Sequence, residues 1–351
     1  MLTEHFHNTQ KDTGHYSNDL RYVLSLQNTI AAFEEIKTWE GYAKTPLHSL
    51  DSMASDIGVK NIYYKDESSR FGLGSFKALG GTYGVLKFIH HALKKEIGDE
   101  VSMKDIHAGK YSEQISKYTV TTATDGNHGR SVAFGAKLFG CKCQIYIHSE
   151  VSSGRQKAME DLEATVNRVS GNYDESLQIC IEDAGKNNWY VISDTSYEGY
   201  TKYPRYIMAG YNVMAEEIID QIKDRPLPTH VFLQGGVGSF PGAICGYFWE
   251  KFPGNNIKFV VVESEHAPCL IRSAQNNQMT SVSIKQETMM AGLSCGEPSL
   301  LGWEILKSGT DDFITINDFS SKVFIISIWY ILFRFDKMHM SEAVPNFWSY
   351  E

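Results

Sequence analysis

A chain of 351 residues, 42% hydrophobic and 21% charged, has the make-up of a soluble globular protein long enough for two domains. Its net charge of -9, with no basic stripe, argues against a nucleic-acid partner. No apolar run is long enough to cross a bilayer; residues 323–333 come nearest and stop at Arg334.

Residues 1–10 are polar, carry Glu4, His5 and His7, and lack the basic start and apolar run of a secretory signal. They read as a solvated tail, with His5, His7 and His15 as solvent-facing histidines. From about residue 60, short apolar strands alternate with amphipathic helices. Strands are expected at 61–65, 118–123, 143–148, 165–169, 189–193, 229–234 and 257–263. Helices are expected at 78–97, 127–139, 154–164, 175–185, 203–222 and 239–251. This alternation implies an α/β fold of two three-layer units with mostly parallel sheets. Six cysteines (Cys141, Cys143, Cys180, Cys245, Cys269, Cys295) form no CxxC pair and read as reduced thiols of a cytosolic protein. Cys141 and Cys143 lie two apart at a strand start, but no nearby ligand pair completes a metal site, so no metal is expected.

In parallel α/β sheets, ligands sit outside the carboxyl ends of the strands. Three features lie there: the turn Thr124-Asp125-Gly126-Asn127-His128-Gly129, Asp194, and the loop Gly235-Gly236-Val237-Gly238-Ser239. Small residues before a helix let backbone amides approach a phosphate, although the same pattern also serves simple packing. Earlier, Gly74-Ser75-Phe76-Lys77 places a lysine at a helix start among Phe71, Leu73 and Phe76. Most lysines are solvated charges. Desolvation among these apolar groups would lower the amine's pKa and free it for covalent catalysis.

Ser75-Phe76-Lys77, Gly126-Asn127-His128 and the glycine loop, in this order, resemble the fold-type II pyridoxal-phosphate (PLP) enzymes, the tryptophan synthase β-like family. The resemblance implies covalent attachment of PLP at Lys77 and a hydrogen bond from Asn127 to the ring hydroxyl. It also implies a phosphate cradle of Gly235, Gly236, Val237, Gly238 and Ser239. Within that family, five longer runs are similar to the diaminopropionate ammonia-lyases. They are Lys65-Asp66-Glu67-Ser68-Ser69-Arg70-Phe71-Gly72-Leu73, Thr122 to Arg130, Asp194 to Tyr200, Met289 to Pro298, and Leu301 to Leu306. The likeness covers roughly residues 40–318.

That branch implies PLP-dependent α,β-elimination of 2,3-diaminopropionate to pyruvate and ammonia, by a cytoplasmic homodimer acting on a small amino acid. It also implies a larger PLP-binding domain (1–90 with 215–319), a smaller domain (91–214) and a divergent tail (320–351). Physical chemistry agrees with the substrate. A second amine is largely cationic near neutral pH and calls for an extra carboxylate, and Asp125 and Asp194 both follow strands on the cleft side. In the roles the resemblance implies, Lys77 is the base on one face for the L-isomer, and Asp125 the base on the other for the D-isomer. Asp194 positions the substrate amine. Each aspartate also has an ordinary reading, as a helix cap or turn residue.

Two alternatives stand. One is a serine/threonine dehydratase, against which Asp125 argues because that branch has a small residue there. The other is an inactive PLP-fold protein, suggested by residues 320–351, which hold no glycine and are crowded with Phe, Trp, Tyr and Ile. No residue there matches the family's partner for the PLP ring nitrogen. That end reads as truncated or frame-shifted, or as a divergent closing helix.

Overall fold

The structure, a computed structural model, describes residues 2–12 and 14–322. The expectations for the apolar stretch 323–333, and for the tail beyond residue 322, lie outside the described residues.

The chain opens with a strand, β1 (Leu2–His7), not with a solvated tail. Its backbone is satisfied by antiparallel pairing with the last described strand, which the polar composition of residues 1–10 conceals. Side chains reinforce the pairing. His5 Nε2 and His7 Nδ1 both meet Asp312 Oδ1, at 2.8 and 3.0 Å, and Arg272 donates to Glu4 at 2.6 Å.

Three short helices follow: α1 (Asn18–Val23), α2 (Leu26–Ile36) and α3 (Asp51–Ile57). Around α3, β2 (Leu47–Ser49) and β3 (Tyr63–Lys65) form a separate antiparallel ribbon. The strand expected at 61–65 is therefore outside both parallel sheets, because its half-exposed, polar residues do not suit a strand covered on both faces. Just beyond it, the Arg70 side chain is 1% exposed and ion-paired to Glu67 and Glu217, and Lys65 joins at Glu217. A buried guanidinium needs such satisfaction. It anchors the tight turn that follows, where Phe71 sits at φ +49°, Gly72 at +70° and Gly74 at +68°. Out of that turn comes α4 (Lys77–Ile97), with Lys77 its first residue.

After α5 (Met103–His107) and α6 (Ser112–Ile115) comes the first parallel sheet. It consists of β4 (Thr119–Ala123), β5 (Lys142–Ile147), β6 (Thr165–Arg168) and β7 (Tyr190–Val191), in the order β6-β5-β4-β7. All its pairings are parallel, and β4 is buried at every position, as a strand covered on both faces must be. The connecting helices are α7 (Asn127–Phe139), α8 (Ser153–Glu160) and α9 (Tyr173–Asn187). Helix α8 stops short of the expected residue 164 because the chain turns there, with Glu163 at φ +66°.

Helix α10 (Lys202–Gln221) leads to the second sheet, formed by β8 (His230–Gln234), β9 (Lys258–Ser264), β10 (Asp312–Ile316) and the returning β1, in the order β1-β10-β9-β8. Its three late strands are parallel and β1 is antiparallel. Between them lie α11 (Ser239–Lys251), α12 (Cys269–Asn276) and α13 (Leu300–Gly309). The chain is thus α/β with mostly parallel sheets.

Helix α4 lies between α7 and α10. Glycines allow that approach: a Cβ on Gly81 would fall 2.4 Å from Ser131 Oγ of α7, and one on Gly210 of α10 2.7 Å from the Leu79 carbonyl oxygen. Most buried apolar side chains, from both sheets' surroundings, join in one cluster. Lys77 is thereby seated where the carboxyl edges of the two sheets meet. No helix among the described residues is long and apolar enough to cross a membrane.

Candidate active site

A cavity of about 790 Å³ opens at those carboxyl edges. Lys77, Asp125, Asn127, Asp194, Gly236, Val237, Gly238 and Ser239 all line it. Gly235 does not. A Cβ there would lie 2.8 Å from Val261 Cγ1 and 3.0 Å from Glu263 Cγ, so Gly235 is small in order to pack against β9.

Lys77 Nζ donates to Asp194 Oδ2 at 2.9 Å, and Ser131 Oγ donates to the Lys77 carbonyl at 2.6 Å. Desolvation pulls the ammonium's pKa down, as the sequence reading expects, but the attraction of the Asp194 carboxylate outweighs it. The free amine is therefore held above the usual lysine value, and the expected depression is reversed by a partner 117 residues away. Burial likewise acts to raise the Asp194 carboxyl, and His128 and Lys77 outweigh it, holding Asp194 well below the usual carboxylate range. Of these partners Lys77 carries the full charge, because burial pulls the His128 imidazole below its usual value. Ser239 Oγ donates to the Asp194 backbone carbonyl at 2.6 Å, tying the strand end after β7 to the start of α11.

On the other side of the cavity, Asp125 Oδ1 meets His148 Nε2 at 3.0 Å. Asn127, the first residue of α7, faces the cavity and meets no protein partner among the described residues. His128 Nε2 lies 2.8 Å from the Ile192 carbonyl, while its Nδ1 is buried without a hydrogen-bond partner. The Tyr211 hydroxyl is buried beside the Asp194 carboxylate, and its ring stands edge-on to Phe76 at 5.2 Å. At the start of α11, no acceptor among the described residues meets the amides of Gly238, Ser239 and Phe240. A Cβ on Gly236 would come within 3.1 Å of the Gly292 carbonyl and 3.3 Å of Cys295 Sγ. Burial, the dominant effect, pushes the Cys295 thiol up to about 12.

A helix N-terminus with unspent amides suits a phosphate dianion. A lysine among unpartnered polar atoms suits an aromatic aldehyde carrying ring heteroatoms. The residues present therefore fit PLP.

Sequence reasoning assigned no role to His148, His128, Tyr211 or Cys295. His148 meets Asp125 through register that only the structure supplies: Ala123 pairs with Tyr146 across β4 and β5, so Asp125 and His148 each stand two residues past a paired position. Tyr211 carries no local signal, since it arrives from the middle of α10.

Residues 38–325 match the sequence profile of the family described as pyridoxal-phosphate dependent enzyme. The diaminopropionate ammonia-lyase of Escherichia coli is 38% identical over 279 residues, which is 79% of this chain and 69% of that protein. The diaminopropionate ammonia-lyase of Salmonella typhimurium is 38% identical over 303 residues, 84% of this chain and 75% of its own. The crystal structure of the E. coli enzyme in complex with an aminoacrylate-PLP azomethine reaction intermediate superposes with a TM-score of 0.79 at 35% identity, covering 91% of this chain and 78% of that one. A threonine deaminase from Solanum lycopersicum, at 21% identity and a TM-score of 0.69, shares the fold. The chain belongs to the pyridoxal-phosphate dependent enzyme family, and pyridoxal 5'-phosphate is its cofactor.

Proposed function

We propose that this chain is an ammonia-lyase that eliminates ammonia from 2,3-diaminopropionate, consuming one water and releasing pyruvate and two molecules of ammonia. The observation that carries this reading is a pair of carboxylates, Asp125 and Asp194, on the same cavity as Lys77. A dehydratase acting on a neutral hydroxyl has no need of the second carboxylate. An amine leaves well only when protonated, so a carboxylate that keeps the β-ammonium charged promotes its departure.

Bound PLP supplies an electron sink for the substrate's Cα. Lys77 provides the amine that attaches the cofactor and takes the Cα proton of the L-isomer. Asp125 takes that proton for the D-isomer. Asn127 serves the ring hydroxyl, and Gly236, Val237, Gly238 and Ser239 offer amides to the phosphate, with Gly235 as their packing support. Asp194 has Lys77 as its ammonium partner here. To act as a base the Lys77 amine must be neutral; the buried carboxylate is then left without a cation, and the substrate's second ammonium is the group that replaces it.

We further read 1–90 with 215–319 as the larger domain, 91–214 as the smaller, and the protein as a cytoplasmic homodimer. Sedimentation tests the last point. The function is tested by pyruvate release from D- and L-2,3-diaminopropionate, serine and threonine. The expected result is a preference for diaminopropionate that Asp194→Asn reduces. Equal or faster turnover of serine or threonine would transfer the assignment to the dehydratases, and no turnover of any substrate by PLP-loaded protein would leave an inactive member of the family.

A further inference from the structure

Asp125 and His148 meet because of sheet register. β4 and β5 are parallel neighbours, Ala123 pairs with Tyr146, and each strand runs two residues further before its side chain turns into the cavity. The His148 side chain is 12% exposed. Its Nδ1 accepts the Glu150 backbone N–H at 3.3 Å, so its proton resides on Nε2 and is donated to Asp125 Oδ1 at 3.0 Å. Its own backbone is pinned by Arg168, which donates to the His148 carbonyl at 3.3 Å and the Ser149 carbonyl at 2.7 Å. The second Asp125 oxygen has no hydrogen bond among the described residues. Asp125 is thus half engaged and half available, the arrangement a carboxylate base needs if its free oxygen is to be held in one place.

We propose that His148 is the positioning residue for Asp125, fixing one carboxylate oxygen so that the other serves one face of the bound amino acid. This rests on the reading of Asp125 as the base for the D-isomer and adds the group that orients it. The charges around the pair agree. The Asp125 hydrogen bond, ahead of opposing burial, raises the His148 imidazole, with Glu287 from segment 281–297 and Glu150 adding to it. Arg155 of α8 faces the Asp125 carbonyl at 3.4 Å, and Arg168 at the end of β6 completes the set.

Two measurements test it. In cofactor-free protein, histidine NMR should show the His148 titration falling by on the order of one pH unit in Asp125→Asn, since an adjacent carboxylate stabilises the imidazolium by about that much or more. In the PLP-loaded enzyme, His148→Phe should lower kcat for the D-isomer by roughly 30- to 100-fold while the L-isomer stays within about threefold. His148→Gln, which keeps a donor near the same place, should recover most of the D-isomer rate and so controls for folding. Equal losses on both isomers, an unchanged D-isomer rate, or an unmoved titration would each overturn the proposal. If Asp125→Asn abolishes D-isomer turnover and His148→Phe leaves it unchanged, this inference alone fails. If Asp125→Asn, or the absence of any D-isomer turnover in the wild type, shows that Asp125 is not the base, both readings fail together.

Discussion

Across the cavity, the edge after β8 and the edge after β4, β5 and β7 are built from different materials. Between Gly235 and Phe240 the chain offers no charged side chain; it presents backbone amides, small residues and the first turn of α11. The opposite edge presents Asp125, His148, Arg155 and Asp194, all titratable or charged. A phosphate is the same in every turnover and can be held by a scaffold with no rotamers to lose. A substrate changes charge as it reacts, and the groups that handle it need proton affinities set by neighbours. On the function proposed above, the division assigns binding to one edge and chemistry to the other, with Lys77 between them on α4.

The strongest test of that division is Lys77→Ala. Losing the proposed attachment point and base should cut pyruvate release by at least about 10³-fold. The absorbance band near the visible edge that marks attachment should disappear, yet added PLP should still bind non-covalently through the β8 edge, seen by equilibrium dialysis. If PLP affinity vanished with the lysine, the cradle would not be an independent binding unit.

Asp194→Asn tests the charged edge through pH. Because the wild-type ammonium is held above its usual value, PLP attachment should accelerate only as pH rises toward that raised value. In the variant, burial is left without its main opponent, so the accelerating limb of the rate-against-pH curve should move to lower pH, by on the order of one to three units. Stopped-flow absorbance reads this directly, and an unmoved limb would show that Asp194 does not govern the amine.

The β8 edge is tested by Gly238→Ala. Gly238 sits at φ +98°, and a Cβ there would lie 3.0 Å from Leu270 Cδ2. Strain of about 1–2 kcal/mol, together with the Leu270 contact, should shift the turn and its amides, making PLP affinity about tenfold weaker. The ratio of D- to L-isomer turnover should not change. Gly140→Ala is the control: its φ of +84° carries similar strain, but nothing lies within 4 Å of its Cβ, at the far end of α7. It should lower stability by about 1 kcal/mol without altering PLP binding. The reverse pattern would break the comparison.

The same division governs what the sequence discloses. The cradle is local: glycines between an apolar strand and a helix can be read in one window, and β8 and α11 appear close to where the alternation places them. The reactive edge is not local. Asp194 governs Lys77 across 117 positions and His148 meets Asp125 across 23, so both depend on sheet order and register. The expected fall in the Lys77 pKa fails for that reason: burial can be guessed from flanking Phe71 and Phe76, but its opponent cannot. Strand β1 escapes for another. An edge strand open to water needs no apolar face, and residues 2–7 have almost none.

That edge strand also supplies the smallest expected effect, and with it a boundary for the comparison. His5 and His7 converge on Asp312 on the far side of the cradle's own sheet. Partial burial acts to raise the Asp312 carboxyl, but its hydrogen bonds to the two histidines outweigh that and hold it below the usual carboxylate range. A depressed carboxylate contributes stability that is present above its unfolded value and is lost as pH falls through the folded one. Asp312→Asn should therefore lower the unfolding free energy measured in urea at neutral pH, by under about 1 kcal/mol because both histidines are well exposed and screened. The gap between the two proteins should close on acidification. PLP affinity and isomer ratio should not respond, since the clasp touches neither edge of the cavity. If PLP affinity did fall, the cradle's geometry would depend on closure of the whole sheet, and the β8 edge could no longer be treated as a self-contained binding turn.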